Sequence, residues 1–134
     1  MAGTLVDSSI LLDILTEDGQ WLDWSSSMLE AAANSGPLLI NPIIYAEISI
    51  GYDKVEEVEQ ALPPDLYRRE PLPYEAAFLA GKCYRNYRKR GGARRSPLPD
   101  FYVGAHAAIA GYRLLTRDAR RYRTYFPTVQ LIAP

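Results

Sequence analysis

The chain has 134 residues and a single cysteine, Cys83, so an internal disulfide is excluded and a reducing, cytoplasmic setting is expected. Hydrophobic residues make up 48% and charged residues 23%, the balance of one folded domain over 1–134, and no run approaches the roughly 18 consecutive apolar residues of a membrane span. The net charge of −1 hides a segregation: residues 1–75 hold fourteen acids and three bases, whereas residues 76–134 hold twelve bases and only Asp100 and Asp118 as acids.

Met1-Ala2-Gly3 runs directly into a first strand at residues 4–7, with no basic-then-apolar leader before it. Ile10, Leu11, Ile14 and Leu15 recur at helical spacing, which predicts a short helix from Ser8 to Thr16, broken by Glu17-Asp18-Gly19. Residues 20–35 place Trp21, Trp24, Met28, Leu29 and Ala32 on one side of an amphipathic helix, which Gly36-Pro37 stops. A short buried strand follows at 37–40. Asn41-Pro42 then reads as a helix start, with Asn as N-cap and Pro at the first helical position. That helix carries Ile43, Ile44, Tyr45, Glu47 and Ile48 up to Gly51.

Residues 53–62 predict another amphipathic helix with Val55, Val58 and Leu62 inward, ended by Pro63-Pro64. A short extended segment spans 65–73. A long helix runs from Tyr74 to Arg90, a loop covers 93–98, and Pro99 opens a helix over 99–112. Tyr112 to Thr116 is a third strand, Arg117 to Phe126 a short helix, and Val129 to Ile132 a last strand. Strands separated by helices imply parallel pairing with crossover helices, hence an α/β sandwich.

Four acids fall in apolar surroundings or at element ends. Asp7 ends the first strand, Glu47 lies on an otherwise apolar helix, Asp100 opens the helix LPDFYVGAHAAI, and Asp118 follows the third strand. In open α/β sheets, sites form beyond the carboxyl ends of the strands. If the first and third predicted strands are neighbours, all four acids converge there. Crowded carboxylates raise one another's pKa, and a hard divalent cation such as Mg²⁺ or Mn²⁺ relieves that cost while activating water and phosphate oxygens. The set therefore points to metal-dependent phosphodiester hydrolysis. A zinc-ligand spacing, a Walker A loop and a GxGxxG are all lacking.

Each residue also has a plainer role open to it. Asp7, Asp100 and Asp118 suit helix N-termini through capping and the helix dipole. Ser8, Ser9 and Thr116 are caps or hydroxyls that orient the acids. His106, on a helix of small residues, reads as a packed and hydrogen-bonded side chain. Cys83 reads as a small hydrophobe, and Tyr45, Phe78 and Phe101 as core rather than a shelf for bases.

The strand ending in Asp-Ser-Ser, NPIIYAEI with Glu47, LPDFYVGAHA with Asp100 and LLTRDARRY with Asp118 together resemble, in order and spacing, the PIN-domain family, and most of all the VapC toxins of toxin–antitoxin pairs. That resemblance implies a three-layer α/β/α sandwich with a mainly parallel central sheet, a Mg²⁺ or Mn²⁺ site, and endoribonuclease activity. It matches Asp7, Glu47, Asp100 and Asp118 to the acidic quartet, catalytic and metal-holding, and Ser9 and Thr116 to the supporting hydroxyls. Ser9 stands where many relatives have Asn. The resemblance also implies a homodimer held inactive by a VapB-like antitoxin. A PIN nuclease of RNA processing, and a PIN module that only binds RNA or protein, are the alternatives. A dehalogenase-like phosphatase or a receiver domain would need a second acid near Asp7, where Ser9 stands instead.

The basic half then suggests an RNA-binding surface. Residues 82–95, KCYRNYRKRGGARR, interleave Tyr84 and Tyr87 with cations that include Arg85, Arg88, Arg94 and Arg95, while Arg117 and Arg120 flank Asp118. Cations supply affinity for phosphate and tyrosines stack on unpaired bases. A solvated helix face, or a surface for an acidic partner, is the other reading of the same residues.

Overall fold

A computed structural model of the chain describes residues 3–91 and 98–134. Its elements in chain order are β1 (Thr4–Val6), α1 (Ser8–Leu15), α2 (Leu22–Ser35), β2 (Leu38–Ile40), α3 (Pro42–Ser49), α4 (Val55–Ala61), β3 (Tyr67–Arg69), α5 (Tyr74–Lys89), α6 (Leu98–Ala110), β4 (Arg113–Leu115), α7 (Arg120–Tyr125) and β5 (Leu131–Ile132). The five strands form one sheet in the order β3-β2-β1-β4-β5, and every neighbouring pair is parallel.

This order fixes the layers. From β1 the chain moves outward to β2 and β3, then returns across the sheet to β4 on the other side of β1 and moves outward again to β5. Crossovers between parallel strands are right-handed. Opposite directions of travel therefore put α1–α4 on one face and α5–α7 on the other, a three-layer α/β/α sandwich. Parallel strands covered on both faces are apolar throughout. Accordingly Leu5, Val6, Leu39, Ile40, Leu114 and Leu115 are all essentially without solvent exposure. Among the described residues, no helix is long and apolar enough to cross a membrane.

Local chemistry accounts for most element boundaries. Asn41 caps α3 as its type and the following Pro predict: its side-chain oxygen accepts from the Ile44 amide at 2.9 Å. The same side chain joins His106 on α6, Nδ2 to Nδ1 at 3.0 Å, so the only histidine is a buried packing group with its pKa lowered by burial. α2 begins at Leu22 rather than at residue 20 because the Asp18 carboxylate accepts from the Gln20 and Trp21 amides, both at 2.9 Å, and holds them in a turn.

One expectation from the sequence is sharpened here and two are corrected. The extended segment at 65–73 contains a true strand, β3, whose registry places Tyr67 beside Leu38. Its YRR sequence lacks an apolar run because Arg68 and Arg69 are exposed at the sheet edge. Val55 is 62% exposed, since the first turn of α4 faces solvent and only Val58 and Leu62 reach the core. Phe78 is 68% exposed, with Lys82 Nζ 5.0 Å from its ring centroid, whereas Phe101 is core as expected and Tyr45 is half-buried, donating to Glu59 at 2.7 Å.

The second face closes around Phe101 and Phe126, whose rings lie 6.0 Å apart. Gly104 makes that packing possible. A Cβ built there falls 2.4 Å from Phe126 Cδ2, and Phe126 is too buried to swing away. Replacing Gly104 with Ala should therefore lower unfolding free energy by about 1–3 kcal/mol despite alanine's better helix propensity. Urea denaturation checks this; equal or greater stability would contradict the packing.

Candidate active site

β1 is the strand at which the sheet order reverses, and its carboxyl end lies beside that of β4. Val6 is level with Leu115, so Asp7 and Thr116 leave adjacent strands together. The Asp7 amide donates to the Leu115 carbonyl at 2.9 Å, which extends the ladder by one bond. Asp7 then turns into α1 with extended backbone angles but no side-chain capping bond to that helix. Its carboxylate is used otherwise. Oδ2 accepts from the Thr116 hydroxyl at 2.8 Å and from the Ser9 hydroxyl at 3.2 Å.

These hydroxyls connect the cluster. Thr116 Oγ1 accepts from the Asp118 amide at 3.1 Å, which shapes the loop that presents Asp118 beyond β4. Ser9 Oγ accepts from the Arg117 amide at 3.3 Å, joining α1 to the same loop. Ser8, the first residue of α1, donates to Glu47 Oε1 on α3 at 3.0 Å. Asp100, in the first turn of α6, accepts from Arg121 Nη1 on α7 at 2.8 Å. All four predicted acids therefore come to one end of the sheet, from four separate segments, with both predicted hydroxyls beside them.

Burial and neighbouring charge set their electrostatics. Asp7 is 5% exposed, and burial raises its pKa against the opposing pull of the Thr116 and Ser9 hydroxyls and the Ser8 amide, with Asp118 adding to the rise. Glu47 is pushed up to about 7, first by burial, then by the charges of Asp7 and Asp100. Asp100 is pushed up to about 6 by burial and by Asp7 and Asp118, in spite of Arg121. Asp118 is exposed and its carboxylate accepts no hydrogen bond among the described residues. Asp7, Glu47 and Asp100 are thus shifted upward, by burial first and by neighbouring acids second.

That donor chemistry fits a hard divalent cation: acceptor-only oxygens, crowded past what their mutual repulsion favours. The fit is incomplete in the side-chain positions seen. Among the described residues no three acid, His or Cys side chains stand close enough to hold an ion together, and Arg121 occupies one oxygen of Asp100.

The basic residues divide. Arg85 and Arg88 are exposed on α5, and Arg120 is exposed on α7. Arg94 and Arg95 lie outside the described residues. Arg117 is committed elsewhere: Nε and Nη2 donate to the two oxygens of buried Asp13, each at 3.0 Å, and its guanidinium lies 5.2 Å from the Trp21 ring centroid. Asp13, which also accepts from Ser25 at 2.7 Å, was not visible as a partner in sequence because it sits 104 residues from Arg117. Next to the quartet, Tyr87, Asp118, Arg120, Arg121, Thr124 and Tyr125 line a cavity of about 350 Å³. A second cavity of about 390 Å³, between α3 and β3, contains none of the quartet.

The fold and this arrangement define a class. A PIN-domain family model matches residues 4–127, and the chain belongs to that family. Solved structures of toxin–antitoxin complexes agree with it in fold. It matches a chain of VapBC2 from Rickettsia felis, solved bound to a promoter DNA fragment, at 17% identity with 97% of each chain covered and a TM-score of 0.74. VapBC-1 from nontypeable Haemophilus influenzae matches at 15% identity, covering 97% of this chain and 96% of that one, with a TM-score of 0.74. FitAcB from Neisseria gonorrhoeae matches at 16% identity with 96% of each chain covered and a TM-score of 0.70. Among curated proteins, no relative matches the sequence.

The raised carboxylates give a test with a defined sign. Glu47 holds its proton up to about pH 7 in the folded chain but only to about 4.5 when unfolded. The folded state is thus favoured below that window, and its advantage is lost as pH rises through 7. Glu47→Gln keeps an acceptor for Ser8 and removes the charge. At pH 7.5 without divalent metal it should raise stability by on the order of 1 kcal/mol, allowing for the partial exposure of the site. The gain should shrink to nothing toward pH 4.5. Because the depressed His106 titrates with the opposite sign, the difference between variant and parent is the quantity to follow, by thermal melting across pH. A gain that stayed constant with pH would contradict the electrostatic cause.

Proposed function

We propose that this PIN protein is a metal-dependent endoribonuclease and the toxin half of a toxin–antitoxin pair. The observation that carries the reading is the convergence of Asp7, Glu47, Asp100 and Asp118 at the carboxyl ends of β1 and β4, where burial first and neighbouring acids second raise the pKa values of Asp7, Glu47 and Asp100. Asp7, Asp100 and Asp118 would hold Mg²⁺ or Mn²⁺, and Glu47 would complete the set or orient water. When bound, the cation supplies Lewis-acid polarisation of a phosphate oxygen and a lowered pKa for water.

The chain's own residues do the positioning. Thr116 and Ser9 fix Asp7 Oδ2, so the orientation of that carboxylate is set before any ligand arrives. Ser8 occupies Glu47 Oε1 and leaves Oε2 for the site. Hydrolysis by water attacking in line at phosphorus would leave a 3′ hydroxyl and a 5′ phosphate. Arg120, exposed in the cavity beside Asp118, is suited to bind a phosphate next to the cut, with Arg85 and Arg88 available for more distant ones. The VapBC complexes among the structural neighbours support a VapB-like antitoxin as partner, and the homodimer remains part of the same proposal.

One observation favours a second reading. With Arg121 on Asp100, a PIN module that binds RNA or protein without cutting also accommodates the site. Cleavage separates the two. Incubated with structured RNA and Mg²⁺, the protein should release fragments; EDTA should abolish this, and Asp7→Asn should lower the rate by about 100-fold or more while the chain stays folded, a loss typical of removing a group that acts on the reacting centre. Undiminished cleavage in EDTA or in Asp7→Asn would rule out the metal mechanism, and absence of any Mn²⁺ binding would favour the binding module.

A further inference from the structure

The cavity beside Asp118 brings tyrosine rings and arginines together next to the acids. Tyr87 and Tyr125 have ring centroids 6.1 Å apart and planes at 78°, so they form two walls of a corner rather than a stack. The Arg121 guanidinium lies 5.6 Å from the Tyr87 centroid, and that of Arg90 lies 5.4 Å from the Tyr125 centroid. Contacts, not charge alone, join this corner to the acidic end of the sheet. Asp118 belongs to its wall, and Arg121 donates to Asp100 at 2.8 Å.

The polar groups of the cavity have defined capacities. Asp100 engages Arg121 Nη1 and so fixes that guanidinium beside the Tyr87 ring. Thr124 spends its proton on the Arg120 carbonyl at 3.1 Å, which leaves its oxygen as an acceptor. Arg120 is exposed and makes no ion pair among the described residues. The cavity between α3 and β3 differs on this point. Its arginine, Arg69, is spent on Glu59 at 2.9 Å and on the Leu62 carbonyl at 3.1 Å.

A bare anion needs only the cations, and an apolar side chain needs only the rings. Aromatic walls and guanidinium planes with an unpaired cation beside them suit a flat polar ring that carries a phosphate, which is an unpaired nucleotide. The volume of about 350 Å³ falls within the roughly 300–1,000 Å³ of pockets that take small ligands. We propose that this cavity is a nucleotide subsite: it takes one unpaired nucleotide of the RNA strand beside the acids, with the base against Tyr87 and Tyr125 and the phosphate on Arg120. The inference rests on the RNA substrate of the function proposed above and needs no bound metal. It makes single-stranded character next to the cut a requirement of the site.

Binding of a short labelled single-stranded oligoribonucleotide, followed by fluorescence anisotropy in EDTA, tests it. The parent should bind the base-bearing strand about five- to fiftyfold more tightly than an abasic strand of the same length. Tyr125→Leu should lose most of that preference. Arg120→Ala should weaken both strands by a similar factor, and by more than Arg68→Ala, which removes an exposed cation at the far edge of the sheet. A preference left intact in Tyr125→Leu would overturn the subsite, and so would equal losses in Arg120→Ala and Arg68→Ala. Because Tyr125 also packs against Phe101, with centroids 5.3 Å apart, a second measurement uses the parent alone. A strand carrying 4-thiouridine, irradiated in the complex, should crosslink to Tyr87 or Tyr125; label confined to exposed Tyr74 and Phe78 would overturn the assignment. A chain that cuts RNA in Mg²⁺ yet fails these tests loses the subsite alone, whereas one that neither binds nor cuts RNA loses the proposed function as well.

Discussion

The structure turns on the hydrogen bond from Thr116 to Asp7, 2.8 Å long and made across 109 positions of sequence. A carboxylate at the end of a buried central strand is unfavourable unless donors meet it. Thr116 meets it from the neighbouring strand, and Ser9 from the helix that follows. Their geometry is available only when β1 and β4 are adjacent and in register. The polar bond and the sheet therefore specify each other, and the loop carrying Asp118 is shaped by the other side of the same hydroxyl.

Around that bond the fold places like charges closer than they would choose. Asp7 is nearly enclosed, Glu47 and Asp100 are partly so, and Asp118 is open to solvent. Arg121 offsets part of the repulsion through Asp100. The gradient from buried to exposed gives the cluster a closed floor and an open mouth, beside a cavity whose walls carry both tyrosines and arginines. Charges crowded in this way oppose folding, and any cation that bound only the folded chain would stabilise it.

Much of this was legible in the chain. Asp7, Glu47, Asp100 and Asp118 stood out because each is a lone acid in an apolar or basic setting, and the adjacency of β1 and β4 brings them to one end of the sheet. Asn41 announced its cap through the following proline. What stayed hidden depends on distant partners. β3 is an edge strand whose arginines face solvent, so it has no alternating apolar pattern. Arg117 looked like a surface cation beside Asp118 until buried Asp13 took both donors of its fork. Phe78 and Val55 are apolar residues at exposed helix positions, which composition alone does not distinguish from core.

In the proposed function the four acids form one cation site anchored on Asp7. Crystals of the protein soaked in Mn²⁺ and measured for anomalous scattering address that claim without reference to any substrate. The predicted result is a manganese peak within ligand distance of the Asp7 carboxylate and of at least one of Asp100 and Asp118, with Arg121 displaced from Asp100. Fully occupied manganese at other surface acids, with the Asp7 carboxylate left in contact only with Thr116 and Ser9, would contradict it.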